Sequence, residues 1–145
     1  MKRVKDLSLF KKIREIREYE FGVFYFFDKL VISEIKEDIV FQWEMAEKAV
    51  FAAQEIFGKD SPIVYISNRI NSYTVDPLNW MKFHKNRHQL THYAVVGQTK
   101  GSLASVVLER IFFKNNIVQF EDLDEAVAWG LGKVELLENK KHETV

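Results

Sequence analysis

Two aromatic and β-branched runs, residues 21–27 and 30–35, are separated by Asp28-Lys29 alone. Two residues cannot carry a crossover, so strands joined this way must be antiparallel neighbours. Asp-Lys is a weaker turn signal than Asn-Gly, and the turn type stays open. The chain therefore begins its sheet with a hairpin.

The pattern then changes period. Ala46, Ala49, Val50, Ala53, Ile56 and Phe57 share one face of a helix expected over residues 40–57. Gly58 stands where a C-cap is wanted. Pro62 opens a short β-branched strand over 63–67. Asp76-Pro77 marks the start of a short helix through Trp80, Met81 and Phe83. A strand over 93–96, a helix near 101–113 and a strand over 117–120 follow. Asp122, with Glu125 three residues on, begins a last helix through Trp129. Strands alternating with helices after residue 62 imply parallel pairing with right-handed crossovers.

The expected fold class is thus α/β: a single domain with a mixed β-sheet, an N-terminal antiparallel hairpin and helices packed on it. The expected divisions are a basic arm over residues 1–18, the domain over 19–132 and a frayed polar tail over 133–145. At 145 residues and 47% hydrophobic content, one domain can bury a core unaided. The arm holds seven Lys/Arg in residues 1–17 against Asp6 and Glu15. Its apolar residues Leu7, Phe10, Ile13 and Ile16 recur every three. It reads either as an amphipathic helix for an anionic membrane, or as a solvated extension or edge strand.

Composition excludes several chemistries. Charged residues make up 29%, yet the net charge is zero, which argues against a general nucleic-acid binder. With no cysteine, there are no disulfides, thiol nucleophiles or cysteine-type zinc sites. No run approaches the length of a membrane span, and Leu7-Ser8-Leu9-Phe10 is too short for a signal peptide. A cytoplasmic location is the expectation.

The catalytic motifs fail one by one. Gly97-Gln98-Thr99-Lys100-Gly101-Ser102 lies between a strand and a helix, but it lacks the phosphate-loop spacing. An anion site at Lys100 and Ser102 competes with simple capping by Thr99 or Ser102. His84, His88 and His92 have helical metal spacing, but His92 falls on a strand and the rest reads as an exposed connector. No Gly-x-Ser-x-Gly elbow is present. No enzyme activity, cofactor or metal is expected.

What remains is the loop after the strand 63–67. Ligands of open α/β sheets gather at the carboxyl ends of strands. Asn68, Arg69, Asn71, Ser72 and Tyr73 offer amides, a cationic fork, a hydroxyl and an amphipathic ring there. The alternative is that they only build the turn.

Three segments carry a resemblance: Val31-Ile32-Ser33-Glu34-Ile35; Tyr65-Ile66-Ser67-Asn68-Arg69-Ile70-Asn71-Ser72-Tyr73 with Asp76-Pro77 and Trp80; and Phe120-Glu121-Asp122-Leu123-Asp124-Glu125-Ala126 with Trp129. Together they resemble bacterial SpoIIAA-like proteins of the STAS/SEC14-like group, over about residues 19–131. The resemblance implies a non-catalytic regulatory or ligand-binding role. In that group an Asp-Ser-Ser-Gly motif supplies a serine for a partner kinase. This chain lacks it, and Ser67 or Ser72 is the nearest equivalent. The leading expectation is a module that contacts a protein partner, a regulator or a kinase, through this loop. The alternative is a carrier or sensor of a small anionic or amphipathic, lipid-like ligand. A homodimer is a third expectation, because twelve Phe residues exceed an obvious core.

Overall fold

The computed structural model of the chain describes residues 2–71, 73–75, 82, 89–97 and 117–143. Two short 3-10 helices, Val4–Asp6 and Ser8–Lys12, precede the first strand. The elements that follow are β1 (Glu15–Tyr19), β2 (Gly22–Phe26), β3 (Leu30–Ile35), β4 (Val40–Phe41), α1 (Trp43–Phe57), β5 (Ile63–Asn68), β6 (Thr74–Val75), β7 (Leu90–Val96), β8 (Ile117–Phe120) and α2 (Leu123–Glu143). The helices expected around Trp80 and over 101–113 lie outside the described residues.

Six strands form one sheet in the order β1-β2-β3-β5-β7-β8. The first three are antiparallel, and β3, β5, β7 and β8 are parallel. This is the expected mixed sheet. The β2–β3 hairpin closes with Phe27 N–H donating to the Leu30 carbonyl at 2.8 Å. Lys29 has a φ of 59°, the left-handed conformation that Asn-Gly turns adopt more cheaply. A separate parallel pair, β4 with β6, joins Val40 to Thr74 and Phe41 to Val75.

Strand alternation divides the core between the two faces of the sheet. On one face, Phe24, Phe26, Val31 and Ile35 meet Ala46, Ala52 and Ala53 of α1. On the other, Leu30, Ile32, Val64, Ile66, Ala94 and Val96 meet Leu123, Ala126, Val127 and Val134 of α2. Small residues on α1 face a sheet surface paved with Phe. Phe21, Phe24, Phe26, Phe27 and Phe41 are all buried, while Phe51 on α1 is 56% exposed. The aromatic excess therefore goes largely into the core among the described residues.

Of the readings offered for the arm, the edge strand leading into the sheet is the one observed, reached through a packed segment. The arm is packed, not solvated: Val4 and Leu7 are buried against Tyr25 and the α2 face, with Phe10 and Ile13 packed beside them. The amides of Leu7, Phe10 and Ile13 each donate three residues back. Two 3-10 turns, separated by extended Leu7, bring Val4, Leu7, Phe10 and Ile13 to the same apolar cluster. Ile16 then enters β1, an edge strand.

At the other end, α2 runs through Gly130 and Gly132 to Glu143 instead of fraying. Asp122 accepts the Asp124 N–H at 3.0 Å and starts the helix. A Cβ on Gly130 would stand 3.2 Å from the terminal methyls of Ile66 and Leu30. The glycine gives close helix–sheet contact, and Val134 and Leu137 pack beyond it. That packing offsets the weak helix propensity of two glycines, about 1 kcal/mol each.

Gly22 is the tightest backbone approach. A Cβ there would lie 2.7 Å from the Glu34 carbonyl oxygen and 2.8 Å from the Ile35 Cα. Backbone atoms cannot yield as a side-chain tip can. Gly22→Ala should therefore destabilise the fold by about 1–3 kcal/mol. Urea unfolding followed by circular dichroism checks this, and an unchanged midpoint would contradict it.

Candidate functional site

Polar side chains break the apolar pattern at the carboxyl ends of β3 and β5. Ser33 and Glu34 interrupt an otherwise apolar strand, and Ser67 and Asn68 sit at the matching level of β5. Consecutive residues point to opposite faces. Each pair therefore sends one polar group to each side of the sheet, and all four residues are buried.

On the α2 side, the Glu34 carboxylate is the centre. Its Oε2 accepts the Val4 backbone N–H at 2.9 Å and the Asn68 amide at 2.9 Å. Asn68 also donates to the Lys2 carbonyl at 3.1 Å. Tyr25 is buried on the same side of the sheet. Burial first, and then the neighbouring Glu34 charge, push the Tyr25 phenol up to about 12. Lys2 completes the fastening by donating to Asp124 of α2 at 2.6 Å, and this contact raises the Lys2 pKa. That last pair is exposed, so it adds little to stability.

On the α1 side, Ser67 Oγ and Tyr73 Oη share a hydrogen bond of 2.7 Å. Arg69 Nε donates to the same Ser67 Oγ at 3.2 Å. The Arg69 guanidinium lies over the Tyr73 ring, 5.0 Å from its centroid. In a water-excluded setting such a cation–π contact is worth roughly 2 kcal/mol. Next to this set, Ser33 Oγ and Tyr65 Oη are 2.6 Å apart, and Tyr65 stacks on Tyr93 at 5.0 Å.

The described residues after β5 make further contacts. Asn71 Nδ2 donates to the Ile35 carbonyl at 3.1 Å. Arg69 N–H donates to the Val96 carbonyl at 2.8 Å, and Thr74 N–H to the Ile39 carbonyl at 3.1 Å. Strand β5 continues to Asn68, one residue past the expected end, because Asn68 still pairs with Val96.

The expected contact residues thus divide. Asn68 and Arg69 are only 1% and 2% exposed, and Tyr73 is buried at 8%. They hold the loop from inside and do not present themselves to solvent. Asn71 is half-buried, and Thr74 is exposed. Ser72, Lys100 and Ser102 lie outside the described residues. So do His84 and His88. His92 sits on β7, bonded to Thr91 Oγ1 at 3.1 Å, with its ring edge-on to Trp129. Among the described residues, no group of three or more His, Asp or Glu is arranged to hold a metal ion. No helix among them is long and apolar enough to cross a membrane.

Sequence reasoning passed over Glu34, Ser33, Tyr25 and Tyr65. The available signal was a charge inside Leu-Val-Ile-Ser-Glu-Ile, since an unpartnered carboxylate is not tolerated in such a strand.

Two outcomes are expected. Glu34→Leu leaves the Val4 N–H and the Asn68 amide without their acceptor and should cost about 2–4 kcal/mol, against a smaller loss for Glu34→Gln. Urea titration of the two variants separates these values. The raised Tyr25 pKa means that its neutral form is favoured in the folded state. Its contribution is complete below pH 10 and is lost as pH rises through about 12. The fall in thermal stability between pH 10 and 12 should be shallower in Tyr25→Phe, and an identical fall would refute the assignment. No protein-family model matches the chain, and neither a curated protein nor a solved structure matches it.

Proposed function

We propose that the chain is a non-enzymatic regulatory or binding module of the SpoIIAA/STAS type that docks a protein partner through the loop after β5. The observation that carries this reading is the loop's position and fixation. It leaves the carboxyl end of a parallel strand flanked by parallel neighbours, where α/β sheets bind their ligands. It is also anchored to β3, β7 and the segment before β4 by hydrogen bonds. A preorganised loop binds without a large ordering cost.

Under this reading the roles of the loop residues separate. Asn68, Arg69 and Tyr73 support the loop, while Ile70, Asn71 and Thr74 form the side a partner meets. A mixed sheet with helices packed against it supports this reading, since the resemblance implies that much. A kinase-operated version has to use Ser72 or Thr74. Ser67 is 1% exposed and bonded to Tyr73, so phosphorylating it requires the loop to open first.

A photo-crosslinking residue at Thr74 tests the reading in the native host. Lys59, exposed in the turn before β5, is the control. The expected result is a discrete adduct from position 74 and none from position 59. No adduct at 74, or equal adducts at both positions, would overturn it.

A further inference from the structure

Strand β1 lies at one end of the sheet, paired with β2 on one side only. Among the described residues no strand pairs with its outer edge. Open edges invite a further strand, and proteins guard them with charges or use them for assembly. The sequence Arg14-Glu15-Ile16-Arg17-Glu18 suits the second purpose, because it is complementary to its own reverse.

A second copy aligned antiparallel about Ile16 sets Ile16 against Ile16. Glu15 of each copy then stands opposite Arg17 of the other. Just outside the strand, Arg14 stands opposite Glu18. Neighbouring registers fail. A slip of one residue in one direction sets Glu15 against Glu18, and in the other Arg14 against Arg17. A slip of two sets Arg17 against Arg17, or Glu15 against Glu15. Like charges directly opposite are unfavourable, so among registers within two residues this one alone avoids them.

The side chains are already disposed for this. Ile16 is 42% exposed, an apolar residue left uncovered at the centre of the edge. Arg17 contacts Glu15 at 3.0 Å and Glu55 of α1 at 3.1 Å, so its guanidinium is held beside the strand. Both Glu15 and Arg17 remain partly exposed. In the pair, each Glu15 meets an arginine from either copy, and the charges form one continuous row across the two-fold axis.

We infer that the chain forms a homodimer through antiparallel β1–β1 pairing centred on Ile16, which joins the two sheets into one of twelve strands. This surface lies away from the loop after β5, and the inference does not depend on the proposed function.

Sedimentation equilibrium of the full chain tests it. The unmodified chain should show twice the monomer mass at high concentration, with association weakened by salt. Arg17→Glu sets glutamates against each other, and Glu15→Arg sets arginines against each other. Each alone should raise the dissociation constant about tenfold or more. Mixed in equal amounts, they restore both opposite-charge pairs and should form a heterodimer. Ile16→Lys, at a half-exposed position, should also yield monomer. Circular dichroism melts establish that each variant is folded. A monomeric unmodified chain at millimolar concentration, or folded charge variants that fail to associate when mixed, would overturn the inference.

Discussion

The Glu34 carboxylate is the constraint around which the rest of the molecule is arranged. A buried charge needs donors, and the two donors of Glu34 come from different parts of the chain: Val4 from the arm and Asn68 from β5. Satisfying one carboxylate therefore ties the arm and the end of β5 to β3. The arm cannot detach without exposing Val4 and stripping the carboxylate of a hydrogen bond. The end of β5 cannot shift without losing the Asn68 contact to both Glu34 and Lys2. Apolar packing holds the two helices against the sheet, while this polar group decides how the carboxyl ends of the strands are closed.

The loop after β5 gains its shape from a division of labour between adjacent residues. Ser67 and Asn68 face opposite sides of the sheet, so one side closes around Glu34 and the other around Tyr73 and Arg69. Side chains rich in hydrogen-bonding groups are thereby withdrawn from the surface at Asn68, Arg69 and Tyr73. This view differs from what the residue types alone suggested.

Much of the fold was legible because it depends on local pattern. The hairpin followed from a two-residue gap, α1 from a 3.6-residue period, and β5, β7 and β8 from short β-branched runs. What escaped depends on tertiary contact. A period of three resembled a poor α-helix, because short 3-10 turns are stable only when packed. Two glycines resembled a helix stop, because nothing local reveals that Gly130 faces Leu30 and Ile66 across the sheet. At the candidate site, Asn68, Arg69 and Tyr73 are buried where their residue types suggested exposure. Asn and Arg usually point to water, and only the partners supplied by β3 and the arm turn Asn68 inward.

The strand order has a kinetic consequence. In the main sheet each strand pairs with its immediate predecessor in that sheet, so no pairing has to wait for a distant part of the chain. Assembly can proceed by accretion from the β1–β3 meander, with each added strand finding a template already in place. The ties that fasten the arm are the exception, since Lys2 meets Asp124 across 122 residues and Asn68 across 66. Loop-closure entropy sets those encounters last, so the carboxyl ends of the strands are sealed only after the sheet beneath them exists.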